Sequence, residues 1–122
     1  MIASGSSDCD LINKLRLLQR YEYGWDGRAA AGANTASFED ACSFAPLIGG
    51  AIAPPEESIH ANGNAVLVFE GPGLFASLQF TGNGTIAAYV RRGIDEWDGE
   101  VPYDRESVPS VLGDMIGLSR SR

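Results

Sequence analysis

The chain has a single lysine, Lys14, a single histidine, His60, and only two cysteines, Cys9 and Cys42, in 122 residues. Each scarcity removes a class of chemistry. A nucleophile needs a base within hydrogen-bond reach, and the lone imidazole stands just before the turn pair Asn62-Gly63 with no catalytic neighbour in sequence. Two cysteines are too few for a disulfide framework and are not spaced as zinc ligands, so both are expected as reduced thiols. Pairing His60 with Cys9 or Cys42 would require distant segments to meet; a surface imidazole and buried thiols are the simpler reading. No enzyme activity, cofactor or metal site is expected. No stretch approaches the roughly 20 apolar residues of a membrane span, and residues 1–7 lack a basic region followed by an apolar run. The expectation is a cytoplasmic protein without a membrane partner.

Positive charge is also scarce. Nine Lys and Arg face sixteen Asp and Glu, for a net charge of -7 and an isoelectric point near 4.5. Such a surface repels phosphate backbones and anionic lipid headgroups, which disfavours direct nucleic-acid binding. It attracts a basic protein or complex, including a nucleic-acid-binding effector.

What is present is enough for one folded domain: 44% hydrophobic and 20% charged residues is an ordinary globular balance. The expected domain is 8–118, with residues 1–7 and 119–122 as flexible tails. Leu11, Ile12, Leu15, Leu18 and Tyr21 recur at helical spacing, and Ser7 or Asp8 can cap the helix that they define. Gly24 and Asp26-Gly27 stop it, and 28–33 is an Ala/Gly-rich connector. A second helix is expected after Asn34 or Thr35, with Glu39 and Asp40 in its first turns and Phe38, Ala41, Cys42, Ala45 and Ile48 as its apolar stripe. Pro46 kinks or ends it, and Gly49-Gly50 and Pro54-Pro55 form the next connector.

Beyond Pro55 the period becomes extended. Segments 58–61, 65–70, 74–80 and 85–90 predict four strands separated by Gly-rich turns, which gives a four-stranded antiparallel meander. In the third, Leu74, Ala76, Leu78 and Phe80 alternate with Phe75, Ser77 and Gln79, so one face is buried and the other partly wet. A short C-terminal helix is expected from Val108, with Ser107 as cap, Pro109 in the first turn, and Val111, Leu112, Met115 and Ile116 inward. The fold class is therefore α+β, with two N-terminal helices, the meander and a C-terminal helix.

The strongest charge feature is 94–106, where Asp95, Glu96, Asp98, Glu100, Asp104 and Glu106 meet a lone Arg105. Hard cations take several carboxylates, yet the run lacks the ligand order of an EF-hand loop, and a solvated or partner-facing surface is the better reading. Its carboxylates could form the acid and base pair of a glycosidase, but nothing in the sequence indicates a substrate cleft. Gly71-Pro72-Gly73 and Gly82-Asn83-Gly84 lead into no helix carrying a lysine and read as hairpin turns, not phosphate cradles. Arg91-Arg92 balances the acids that follow, through surface pairs worth little.

Both tryptophans lie in Trp-Asp-Gly tripeptides, Trp25-Asp26-Gly27 and Trp97-Asp98-Gly99. A large aromatic beside a turn-forming Asp-Gly pins a loop to the core, and Trp25 is assigned there. The block Tyr23-Gly24-Trp25-Asp26-Gly27, followed by small residues, an alanine-containing helix, Pro54-Pro55 and strands, resembles small bacterial and phage-borne proteins with a Trp-Asp-Gly-x-Gly-Ala type signature. The resemblance covers 11–90, and Arg28-Ala29-Ala30 departs from the signature after Gly27. It implies no catalytic residues. In size and acidity the chain is similar in kind to anti-CRISPR proteins, which share no common motif.

The expected function is a non-enzymatic acidic inhibitor of a bacterial defence complex that docks on a basic nucleic-acid-binding surface. Asp95, Glu96, Asp98, Glu100, Asp104 and Glu106 would steer the partner, with Trp97 as aromatic anchor. The alternatives are an antitoxin-like or accessory subunit bound through apolar helix faces and a small enzyme using His60 with carboxylates. Strand edges and the surface around Phe75 also offer a homodimer contact.

Overall fold

The computed structural model describes residues 3–48 and 55–116, with side chains of the first helix described from Asp10 onward. Expectations on Cys9, on 49–54 of the connector and on the tail 119–122 lie outside the described residues. Helix α1 runs Ala3–Leu18, so it starts ahead of the expected Asp8. Leu11 and Leu15, one turn apart on one face, are buried, and Ile12 and Leu18 pack partly against the same core. Tyr21 does not continue the stripe: it lies beyond the helix end and is exposed. Gly24 at φ +80° then bends the chain, and the Asp26 carboxylate accepts the Arg28 N–H at 2.8 Å. Trp25 is half-buried against the core, and its indole N–H donates to the Ala31 carbonyl at 2.8 Å.

Helix α2, Thr35–Phe44, starts at an Asn34 cap whose side chain accepts the Ser37 N–H. Its first turn holds no acid, so the expected dipole role of Glu39 and Asp40 is replaced by ion pairs. Arg16 of α1 reaches Glu39 at 2.6 Å, and Arg105 reaches the buried Asp40 at 2.5 Å. The Arg16 hydrogen bond holds the Glu39 carboxyl below its ordinary range. Ser37 is fully buried, donates its hydroxyl proton to the Phe80 carbonyl and accepts the Ala65 N–H at 2.7 Å, which ties α2 to two strands. The helix stops at Phe44, and Pro46 sits in a 3-10 turn, Ala45–Leu47.

Five strands follow, where the sequence predicted four: β1 Pro55–Ile59, β2 Ala65–Gly71, β3 Leu74–Phe80, β4 Thr85–Arg92 and β5 Asp95–Pro102. All neighbours are antiparallel and adjacent in chain order. β1 occupies 55–59 and not 58–61, because Pro55 suits the first residue of an edge strand while His60 and Asn62-Gly63 form the turn. In that turn Gly63 has φ +89°, and a Cβ there would stand 2.2 Å from the Gly32 carbonyl oxygen. Only glycine lets the connector between α1 and α2 lie this close. β5 falls in the acidic segment 94–106, where the sequence predicts no strand, because Asp, Glu and Gly have low strand propensity. Its pairing with β4, from Thr85↔Pro102 to Arg92↔Asp95, overrides that local preference.

Helix α3, Ser110–Ile116, starts after Pro109. Ser107 does not cap it; its N–H instead goes to the Asp104 carboxylate. The three helices and the inner sheet face share one core, with Phe38, Phe44, Leu112 and Ile116 set against Leu67, Phe69, Leu78, Phe80, Ile86 and Val90. The architecture is thus two layers, helices on one face of an antiparallel sheet. None of the outer-face side chains Val68, Phe75 and Tyr89 belongs to that core.

Candidate protein-docking surface

Strand pairing fixes which side chains share the outer face, because successive residues alternate between faces. Three rows cross it from the β1 and β2 side toward β5. One reads Glu70, Phe75, Arg91, Glu96; the next Glu56, Val68, Ser77, Tyr89, Asp98; the third Ser58, Val66, Gln79, Ala87, Glu100. The centre is therefore apolar or small and both margins are acidic. Arg91 is the one cation in these rows.

The structure divides the seven residues singled out from the sequence. Glu96, Asp98 and Glu100 stand together on the outer face of β5, which is an edge of the sheet. Asp95 opens the strand on the opposite face, across from Arg92. Trp97 also points to the inner side: it pairs with Val90, is half-buried and packs against the core. Its indole lies over Gly99, where an added Cβ would stand 3.1 Å from Trp97 Cζ2. The second Trp-Asp-Gly tripeptide thus lies within a strand, with the glycine making room for the ring.

Asp104 and Glu106 lie past β5 and are not part of its row. The Asp104 carboxylate accepts the Glu106 and Ser107 N–H groups at 2.8 and 3.1 Å, and these bonds hold its pKa below the usual carboxylate range. It is a turn-former. Between them Arg105 adopts φ +69° and turns to Asp40. The ion pairs among the described residues are Lys14–Asp10, Arg16–Glu39 and Arg105–Asp40, so none uses a β5 carboxylate. Glu100 accepts the Thr85 hydroxyl at 2.5 Å.

Beside Asp98 the outer face has a shallow, open depression of about 330 Å³, lined by Ser77, Gln79, Ala87, Tyr89 and Asp98 among others. The Tyr89 ring leans on Phe75, centroids 6.1 Å apart and planes tilted 53°. Gln79 Oε1 accepts from Asn62 Nδ2 at 2.7 Å and Asn64 Nδ2 at 3.0 Å, which holds that wall. Sequence reasoning missed Tyr89 and Glu70 as parts of a site, because register and not spacing brings them beside β5. The one available signal was Gly93-Ile94, the Gly-X order of a two-residue hairpin turn, with Gly93 at φ +62°.

The catalytic alternatives gain little geometry. His60 is exposed, with Nδ1 accepting the Asn62 N–H at 3.2 Å. Cys42 is buried in α2, and that burial pushes its thiol pKa up, away from the reactive thiolate. Among the described residues no cluster of three or more His, Cys, Asp or Glu could hold a metal ion. No helix there is long and apolar enough to cross a membrane. A separate apolar group, Leu17, Tyr21 and Tyr23, is exposed around the end of α1. No family model matches the chain, and no curated protein or solved structure matches it significantly.

Proposed function

We propose that this chain is a non-enzymatic protein-binding inhibitor that presents β5 and the outer sheet face to a basic partner. The observation that carries the reading is the alignment of Glu96, Asp98 and Glu100 on one face of an edge strand, outside the three ion pairs of the described residues. Charge presented this way raises the encounter rate with a cationic surface and selects against anionic ones. The partner class is a basic, nucleic-acid-binding protein or complex of a bacterial defence system, met in the cytoplasm in the manner of anti-CRISPR proteins. The test uses Glu96→Lys, Asp98→Lys and Glu100→Lys combined, beside a control with Asp10→Lys and Glu22→Lys. The β5 triple variant should fold normally by circular dichroism and lose capture of the partner found by affinity purification and mass spectrometry. Equal capture by the triple variant and the control would sink the reading.

The exposed Leu17, Tyr21 and Tyr23 favour one other reading, an accessory or antitoxin-like subunit bound through apolar contacts. It differs in requiring capture that resists salt and disappears in Leu17→Glu with Tyr23→Glu.

A further inference from the structure

We infer that the depression beside Tyr89 and Asp98 seats an arginine side chain of the basic partner, so that the outer sheet face and not the acidic strand alone is the docking surface. This rests on the protein-binding reading above and names the side chain that reading would recognise. A guanidinium is planar, weakly hydrated and always charged, so it gains from an aromatic face on one side and a carboxylate on the other. Tyr89 and Asp98 are direct cross-strand neighbours on the outer face and supply that pair. The floor is low because Ser77 and Ala87 are small, and both line the same depression.

The surroundings favour this row over its neighbours. Phe75 supports the Tyr89 ring from the next row. Glu100 already accepts the Thr85 hydroxyl, whereas Asp98 has no ion pair among the described residues. Glu96, in the remaining row, already has a cation directly across the strand pair, Arg91, whereas Asp98 faces the neutral Tyr89. Acidic side chains at both margins, Glu56 and Glu70 on one side and Glu96 and Glu100 on the other, complement further positive charge around the seated residue. A lysine ammonium is compact and strongly hydrated and would use the carboxylate but little of the ring.

The experiment titrates the whole ¹⁵N-labelled chain with acetyl-Ala-Arg-Ala-amide and with its lysine and citrulline counterparts. Saturable amide shifts should centre on Ser77, Ala87, Tyr89 and Asp98. The arginine peptide should bind at least about threefold tighter than the lysine one, and citrulline, isosteric but neutral, about tenfold weaker. Tyr89→Leu and Asp98→Asn should each weaken the arginine peptide by about three- to tenfold. Asp98→Asn changes an exposed side chain and keeps the test open where Tyr89→Leu loosens the sheet. Shifts spread over every carboxylate with arginine equal to lysine, or no shifts at this face, would overturn the seat. If β5 reversal abolishes partner capture while Tyr89→Leu and Asp98→Asn leave peptide and partner binding unchanged, the seat fails and the protein-binding reading stands. A normal titration with partner capture indifferent to reversal removes that reading and leaves an arginine seat.

Discussion

Tyr103 is a residue whose acid–base chemistry the fold alters strongly. It is 5% exposed, sits edge-on to Phe44 and Phe80 with centroids 5.6 and 5.9 Å away, and shares a 2.7 Å hydrogen bond with the Ser43 hydroxyl. Burial pushes its pKa from the ordinary 10.0 up to about 12, with the Ser43 bond opposing that shift. Because the folded protein holds the phenolic proton more tightly than the unfolded chain, this contribution to stability is complete below pH 10 and is lost as pH rises through 12. The melting temperature should therefore fall between those limits. Tyr103→Phe should flatten the fall by on the order of 5 °C in a pH series of thermal melts. An unchanged slope would show that the phenol is ionised as readily in the fold as outside it. At this scale the sequence was legible where periodicity speaks, as with buried Leu11, Leu15 and Leu78. It is silent on Tyr103 and Ser37 and gives Asp40 only a helix-dipole role, because their partners lie on other elements.

Among elements, β5 divides what local sequence can say from what pairing decides. β3 was read to the residue because its hydrophobic alternation is complete, and β2 and β4 run only one or two residues past their expected ends. β5 carries the same alternation in Trp97, Gly99 and Val101, but a glycine in the middle and acids on the wet face mask it. The acids also suit an edge strand, where charge discourages pairing with other chains. The consequence for the site is direct: a loop would scatter Glu96, Asp98 and Glu100, whereas a strand aligns them. Hydrogen exchange separates the two. In β5 alternate amides, those directed at β4, should be protected by about tenfold or more over their neighbours, while every second one exchanges freely. Uniformly fast exchange across 95–102 would remove the strand and the aligned surface with it.

Over the whole molecule, the net charge of -7 has two readings, solubility and partner recognition, and its distribution favours the second. Three of the basic side chains are engaged within the fold: Arg16 and Arg105 pair with α2 carboxylates, and Arg92 donates to the Asp114 and Met115 carbonyls. Of the β5 carboxylates, Glu96, Asp98 and Glu100 are left facing outward together, at one edge of a sheet face that the helices leave open. Charge alone did not locate this face in the sequence, since Asp104 and Asp98 look alike there and only the fold assigns one to a turn and the other to the surface. A surface of this kind acts mainly on encounter, so the salt dependence of partner binding should sit in the association rate. Raising salt from about 0.05 to 0.5 M shortens the screening length severalfold and should slow association by about tenfold or more, with dissociation nearly constant. Surface plasmon resonance with the captured partner measures both rates. Association insensitive to salt would move the contact to Leu17, Tyr21 and Tyr23, because apolar burial is not weakened by screening.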